Sequence, residues 1–269
     1  MDVGRRTVMG ALLAAGLTPC SGAEAAPERL ANLAGAPPAR LPGGSRSKAG
    51  PRPPAGLLGT EIRRLPTSRR VMALTFNAAW DESGIETVLA ELRRRKLSAT
   101  FFPTGQFAEA HPAAVRAMAV AHPLGNHSYS HPYFDDLSTA ERADEVRRAD
   151  AAIRTAARAE PLPFFRFPYS STTPESIADI NDLGYAAIEF TTDTNGYLGP
   201  EGGVSVDDAV ERAIDAFTPG AIIQMHVGST GNGIVTDAEA LPRIIDAAQS
   251  GGYEIIDLRR FLTSAPAIG

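Results

Sequence analysis

His127 and His131 stand four residues apart in the run Gly-Asn-His-Ser-Tyr-Ser-His-Pro that extends from Gly125 to Pro132. Two imidazoles at that spacing can close on one small divalent ion. The chain holds five histidines in all, so the pairing is a local feature and not a product of composition. The same run also reads as two partly exposed histidines capping a turn before Pro132. Carboxylates that could complete a metal site stand nearby: Asp81 and Glu82 just past Trp80, and Asp135 and Asp136 shortly after His131. Each of these also reads as a solvated acid on a loop. His226, Arg166 and Asp193 are further polar candidates. Taken singly, they read as a satisfied histidine at a strand end, an arginine paired with a surface acid, and a turn residue before Asn195-Gly196. His111 and His122 each precede proline and are read as loop residues without a role.

The elements that must position these residues can be read from periodicity. Val71 to Phe76 is β-like and Asn77 follows it. Glu86 to Lys96 carries Val88, Leu89 and Leu92 at helical spacing, with bases at its C-terminal end. Ser98 to Phe102 is the next strand, followed by Pro103-Thr104-Gly105. Three later helices are expected to open with capping boxes: Ser138 with Glu141, Ser205 with Asp208, and Thr236 with Glu239. Thr173-Pro174 opens another, with proline at the first helical position. Tyr185 to Phe190, Ala221 to Met225 and Tyr253 to Leu258 read as buried strands, and His226 ends the second of them. Alternating strands and helices imply a parallel sheet with helices outside it. Ligands of such folds sit at the carboxyl ends of the strands, where Asn77, Thr104 and His226 fall.

A chain of 269 residues, 43% apolar and 21% charged, can bury one large core and reads as soluble and globular. Its first 26 residues are not expected to join that core. Arg5-Arg6 precede an apolar stretch from Val8 to Leu17 that is too short to span a bilayer. Ala23-Glu24-Ala25 offers an A-x-A cleavage site, so residues 1–26 are expected to be an export signal and the protein extracellular or in the cell envelope. The run from Gly4 to Met9 is similar to a twin-arginine signal. A lipoprotein signal at Cys20 is the alternative, and Pro19 fits it poorly. Cys20 is the single cysteine, which excludes an intrachain disulfide. Residues 27–60 are rich in Ala, Pro, Gly and Arg without periodicity. They read as a flexible linker, extended to residue 68, with the folded domain over residues 69–264. Residues 26–60 carry a net charge of +4 within a chain of net −5 whose first 25 residues balance, so residues 61–269 carry −9. An acidic domain lacks the clustered bases that nucleic-acid binding needs. No stable membrane span is expected either.

Six segments follow one another in order. They are Leu74 to Ala78 (Leu-Thr-Phe-Asn-Ala), Ala99 to Gly105, Gly125 to Pro132, Arg166 to Tyr169 (Arg-Phe-Pro-Tyr), Asp193-Thr194, and Ile223 to His226. This succession resembles the polysaccharide deacetylases, the NodB-homology group that forms carbohydrate esterase family four. Ala240 to Ile245 and then Gly252-Tyr253 are similar to the family's last helix and strand. The resemblance covers roughly residues 69–264 and implies a distorted, incomplete (β/α) barrel within the α/β class. It also implies removal of an acetyl group from an N-acetylated glycan such as peptidoglycan or chitin. The cofactor implied is a divalent metal, zinc, held by two histidines and an aspartate. A second aspartate acts as base, a histidine protonates the leaving amine, and backbone N–H groups stabilise the oxyanion.

Carried over residue by residue, His127 and His131 match the metal histidines and His226 the general acid. Asp193 matches the carboxylate that orients that histidine, and Arg166 the arginine that tethers the base. Tyr169 falls where the groove is lined and the oxyanion site receives backbone. Phe190 and Met225 are expected to wall the acetyl pocket, although both also read as core residues.

The first motif departs from the family. Where the family reads Thr-Phe-Asp-Asp, this chain reads Thr75-Phe76-Asn77-Ala78. Asn77 takes the slot of the catalytic base and Ala78 that of the metal-binding aspartate. An amide does not accept a proton from water at neutral pH, and alanine does not ligate. Three readings follow. Asp81 moves in as replacement ligand or base, with Glu82, Asp135 and Asp136 as other sources. Alternatively, the protein binds glycans without cutting them, as the Asn-Ala-Ala-Trp wording suggests by its likeness to a branch of the family lacking the paired aspartates. In the third, slow hydrolysis persists on binding and oxyanion stabilisation. Asp81 is taken as the metal ligand beside His127 and His131, and Asn77 as occupant of the catalytic slot beside His226, Asp193 and Arg166.

Overall fold

A computed structural model describes residues 51–229 and 233–263. The expected export signal, and the linker up to residue 50, lie outside the described residues. The elements run β1 (Glu61–Ile62), β2 (Val71–Ala78), α1 (Ile85–Arg95), β3 (Thr100–Pro103), α2 (Gly105–Ala110), α3 (Pro112–Ala119), α4 (Thr139–Ala157) and β4 (Phe164–Phe165). They continue α5 (Pro174–Asp182), β5 (Ala186–Ile188), β6 (Thr192–Asp193), α6 (Val206–Asp215), β7 (Ala221–His226), α7 (Thr236–Ser250), β8 (Glu254–Ile256) and α8 (Arg260–Thr263). The strands read from the sequence appear at β2, β3, β5, β7 and β8.

Two helix starts carry the predicted capping boxes, Ser138 with Glu141 and Ser205 with Asp208, and Thr173 closes another with Ser176. The box expected at Thr236 does not form. Val235 is the cap residue there and no side chain bonds back, so Thr236 is the first helical residue. The helix therefore begins one residue earlier than the capping signal placed it.

All paired strands are parallel. One sheet has the order β3-β2-β7-β6, and β8 pairs with the N-terminal half of β2 on the edge that β3 takes further along. The other sheet is β1-β5-β4. Single bridges join the two: Phe101 to Leu124 and Asn126 to Phe165 on one side, and Arg64 to Ala221 on the other. The ring of strands is therefore distorted and incomplete, since ladder hydrogen bonds do not run continuously around it.

The linker expected up to residue 68 ends earlier than that. Leu57 and Leu65 are buried, β1 pairs with β5, and the Leu65 N–H donates to the Gly220 carbonyl at 2.7 Å. A strand of two residues is too short to show a period, so composition concealed it.

Strand alternation sorts the side chains. Met72, Leu74, Phe76 and Ala78 of β2, with Ile223 and Met225 of β7, pack under the helices in one large core. Val71, Ala73, Phe102, Ile188, Ile222 and Ile256 point the other way into the centre of the ring. Asn77, Gln224 and His226 share that second parity at the C-terminal ends of β2 and β7, and open onto a hollow of about 390 Å³.

Candidate active site

The histidine loop is held by buried polar contacts. Asn126 donates from Nδ2 to the Val146 carbonyl at 2.9 Å, and its Oδ1 accepts from the Ser128 N–H at 3.0 Å. Glu145, on α4, accepts from the N–H groups of Tyr129 and Ser130 at 2.8 Å each and from the Ser130 hydroxyl at 2.7 Å. These bonds secure a loop in which Ser128 and His131 both adopt positive φ, 64° and 61°, a conformation that costs non-glycine residues energy. Gly125 is needed just before it, because a Cβ there would run into the Phe102 ring.

The loop brings His127 and His131 together, with ring centroids 4.8 Å apart at 82°. His127 donates from Nδ1 to the Arg166 carbonyl at 2.9 Å, which leaves Nε2 as its free lone pair. Burial, and then His131, hold His127 well below the ordinary imidazole range. Burial, and then His226, push His131 down to about 4. Both rings are therefore neutral at pH 7, the form in which imidazole ligates.

The expected third ligand is absent from this pair. Asp81 does not line the hollow. Its Oδ1 accepts from the Ser83 N–H at 2.9 Å, and its Oδ2 accepts from the Ser229 N–H at 2.9 Å and the Ser229 hydroxyl at 3.0 Å. The assignment of Asp81 to a metal is corrected on that ground: its oxygens hold two turns. Glu82 faces His111, and Asp135 bonds to the Ser171 hydroxyl. A catalytic zinc takes three protein ligands. Among the described residues, no three His, Cys, Asp or Glu side chains are arranged to hold a metal ion. The donors present are two neutral imidazoles, and they do not make up the centre that the resemblance implies.

The slot of the base is filled by an amide within a polar chain. Arg166 is fully buried and donates from Nη1 to Asn77 Oδ1 at 3.1 Å. Asn77 Nδ2 donates to Gln224 Oε1 at 3.2 Å, and Gln224 Nε2 donates to Asp193 Oδ2 at 2.6 Å. Positive guanidinium at one end and carboxylate at the other fix the direction of both amides between them. Arg166 also donates to the carbonyls of Ile188 at 3.1 Å and Glu189 at 3.2 Å, and its guanidinium lies 4.2 Å from the centre of the Phe102 ring. Burial pulls Arg166 down to about 10, so it stays charged at neutral pH.

His226 lines the hollow opposite the loop, with the Tyr197 ring 4.6 Å away. Its Nδ1 is 3.8 Å from Asp193 Oδ1 and 3.6 Å from Asp237 Oδ2. Tyr169 and Phe190 line the hollow. Tyr169, at φ 59°, stacks on Tyr133 at 4.0 Å and meets His131 edge-on at 4.6 Å. Met225 does not reach the hollow. Strand parity turns it into the core under the helices, which corrects its assignment to the acetyl pocket.

Sequence reasoning missed Gln224, Glu145, Asp237 and Glu189. A polar residue in an apolar strand was the available signal for Gln224, and Glu189 in Tyr185 to Phe190 gave the same signal. Glu189 is fully buried, accepting from the Phe167 N–H at 3.0 Å and the Ser170 hydroxyl at 2.8 Å. Burial pushes its carboxyl up from 4.5 to about 7 against the pull of Arg166. A raised acid binds its proton more tightly in the folded state, so its contribution to stability falls as pH rises from about 4.5 to about 7 and is flat above that. Glu189→Gln is expected to match wild type near pH 4.5 and to exceed it at pH 8 by roughly 3 kcal/mol in urea denaturation, the equivalent of that pKa interval. Equal stability at pH 8 would show that burial does not raise the Glu189 carboxyl.

With this geometry in place, comparison with known proteins gives the class. The family model described as "Polysaccharide deacetylase" matches residues 64–188. A chitooligosaccharide deacetylase of Bradyrhizobium sp. is 32% identical over 196 residues, covering 69% of this chain and 88% of that protein. A peptidoglycan-N-acetylglucosamine deacetylase of Bacillus cereus is 26% identical over 194 residues, 72% of this chain and 68% of that protein. A crystal structure of a CE4 family pseudoenzyme from Bacillus anthracis superposes with TM-score 0.68 at 27% identity, over 76% of this chain and 69% of that one. A mutant of the pseudoenzyme with restored enzymatic activity has been solved as well. This chain belongs to the polysaccharide deacetylase family.

Proposed function

We propose that the protein removes N-acetyl groups from amino-sugar glycans of the chitin or peptidoglycan kind, and that it does so slowly. The observation that carries this reading is the convergence of His127, His131 and His226 on one hollow at the carboxyl ends of the strands. His226 supplies the proton for the leaving amine. Tyr169 and Phe190 line the site that receives the acetamido group. The relay from Arg166 to Asp193 keeps the polar floor of the hollow rigid. With an amide in the slot of the base, proton removal from water is the weak step. Its usual contribution of about 10²–10⁴-fold is missing.

A second reading, a glycan-binding protein without turnover, is favoured by the two-nitrogen donor set and by Asn77. The N-terminal arginine pair, apolar stretch and A-x-A site support export to the cell envelope, where such glycans lie. No helix among the described residues is long and apolar enough to cross a membrane.

The test is a pair of measurements on the purified protein with N-acetylglucosamine oligomers: binding by calorimetry, and acetate release over hours. Binding with slow release is the expected result. Binding without release selects the second reading. If neither binding nor release is seen with chitin oligomers or with peptidoglycan fragments, both readings fall.

A further inference from the structure

Asp237 has no role in the family pattern, and its environment sets it apart. It stands in the first turn of α7 and is completely buried. Its Oδ1 accepts from the Thr194 hydroxyl at 2.6 Å, and its Oδ2 accepts from the backbone N–H of His226 at 2.7 Å. Gly196 lies against it so closely that a Cβ there would collide with the carboxylate. A buried charge requires a partner. The His226 ring is the one basic side chain within 4 Å of the Asp237 carboxylate among the described residues, and its buried Nδ1 makes no hydrogen bond.

Asp193 also faces His226, but it is partly exposed and already engaged. One of its oxygens takes the Gln224 amide that leads to Arg166, and the other takes the Asn195 N–H at 2.8 Å. Its charge is thus shared with Arg166, whereas Asp237, at nearly the same distance from the ring, is completely buried. The remaining groups around His226 are the Tyr197 ring and, across the hollow, His131 and His127.

We infer that Asp237 is a positioning residue for His226, keeping the ring's proton on Nδ1 and presenting Nε2 to the hollow. Only the consequence of this for the leaving amine rests on the proposed reaction; the geometry stands without it. Because the carboxylate grips the backbone of the same residue whose ring it faces, ring and acid form one unit.

The test is nitrogen NMR of the full chain, reading which ring nitrogen of neutral His226 carries the proton. Wild type is expected to hold it on Nδ1. Asp237→Ala is expected to reduce that Nδ1–H fraction at least about twofold, while Asp237→Asn, which keeps an oxygen in place, retains it. Asp193→Ala is expected to retain it also. Retention in Asp237→Ala, or loss in Asp193→Ala, overturns the inference. Should Asp237→Ala not fold, Gly196→Ala displaces the same carboxylate and is expected to lower the fraction; no change there overturns it equally. No glycan enters the measurement, so failure of glycan binding leaves this result standing, and the reverse holds.

Discussion

Asn77→Asp combined with Ala78→Asp is expected to raise acetate release from N-acetylglucosamine oligomers at least about 100-fold over wild type, the lower bound for a restored general base. Asn77 is the part of this expectation that the structure supports most directly. Its side chain has the interior parity of β2, lines the hollow, and receives Arg166 at 3.1 Å. A carboxylate in that place gains a buried, charge-assisted partner and faces the reacting space. Gln224 must then turn its amide nitrogen toward position 77, which loosens its hold on Asp193. Ala78 is buried with the opposite parity, and its carbonyl accepts from the Thr104 N–H. A carboxylate there is stable only if it leaves the core to meet a cation near the histidine pair. Zinc affinity is therefore expected to strengthen at least about tenfold, or 1.4 kcal/mol, in the double variant and little in Asn77→Asp alone. Calorimetry with zinc and an acetate assay read the two effects separately. A folded double variant that releases acetate no faster than wild type would show that the missing carboxylates are not what limits the site.

Arg166→Met is expected to destabilise the fold by about 3–5 kcal/mol in urea denaturation. Two opposing effects decide the sign. Methionine removes the cost of burying a cation, and such replacements are sometimes neutral. Against that, three buried acceptors lose their donor: Asn77 Oδ1 and the carbonyls of Ile188 and Glu189. Each orphaned acceptor costs about 1–3 kcal/mol. The loss of three outweighs the desolvation gained back. Arg166→Lys is expected to fall between the two, because one ammonium cannot follow a planar fork to three separated oxygens. A methionine variant as stable as wild type would mean that Arg166 is retained for function alone.

Strands β2 and β7 were legible because each is an apolar run with turn residues at its ends, and burial on both faces leaves that signature in one dimension. The helix starts at Ser138, Thr173 and Ser205 were legible because a cap is a contact between residues three apart. The histidine pair was legible for the same reason, since both ligand positions lie in one loop. Leu57, Leu65 and β1 were not, because their partners, Gly220 and β5, lie more than a hundred residues away.

The sequence by itself determined the family, the pairing of His127 with His131, and the loss of both aspartates at Asn77 and Ala78. Tertiary structure alone decided the destinations of the other carboxylates. Asp81 went to the Ser229 turn, Glu189 to a dry pocket beside Arg166, and Asp237 to the ring of His226. It also turned Met225 into the core and Gln224 into the hollow. The physical reason is that a polar side chain settles wherever its polar atoms find partners. That choice depends on which distant strands and helices meet around it, and spacing along the chain carries no record of it.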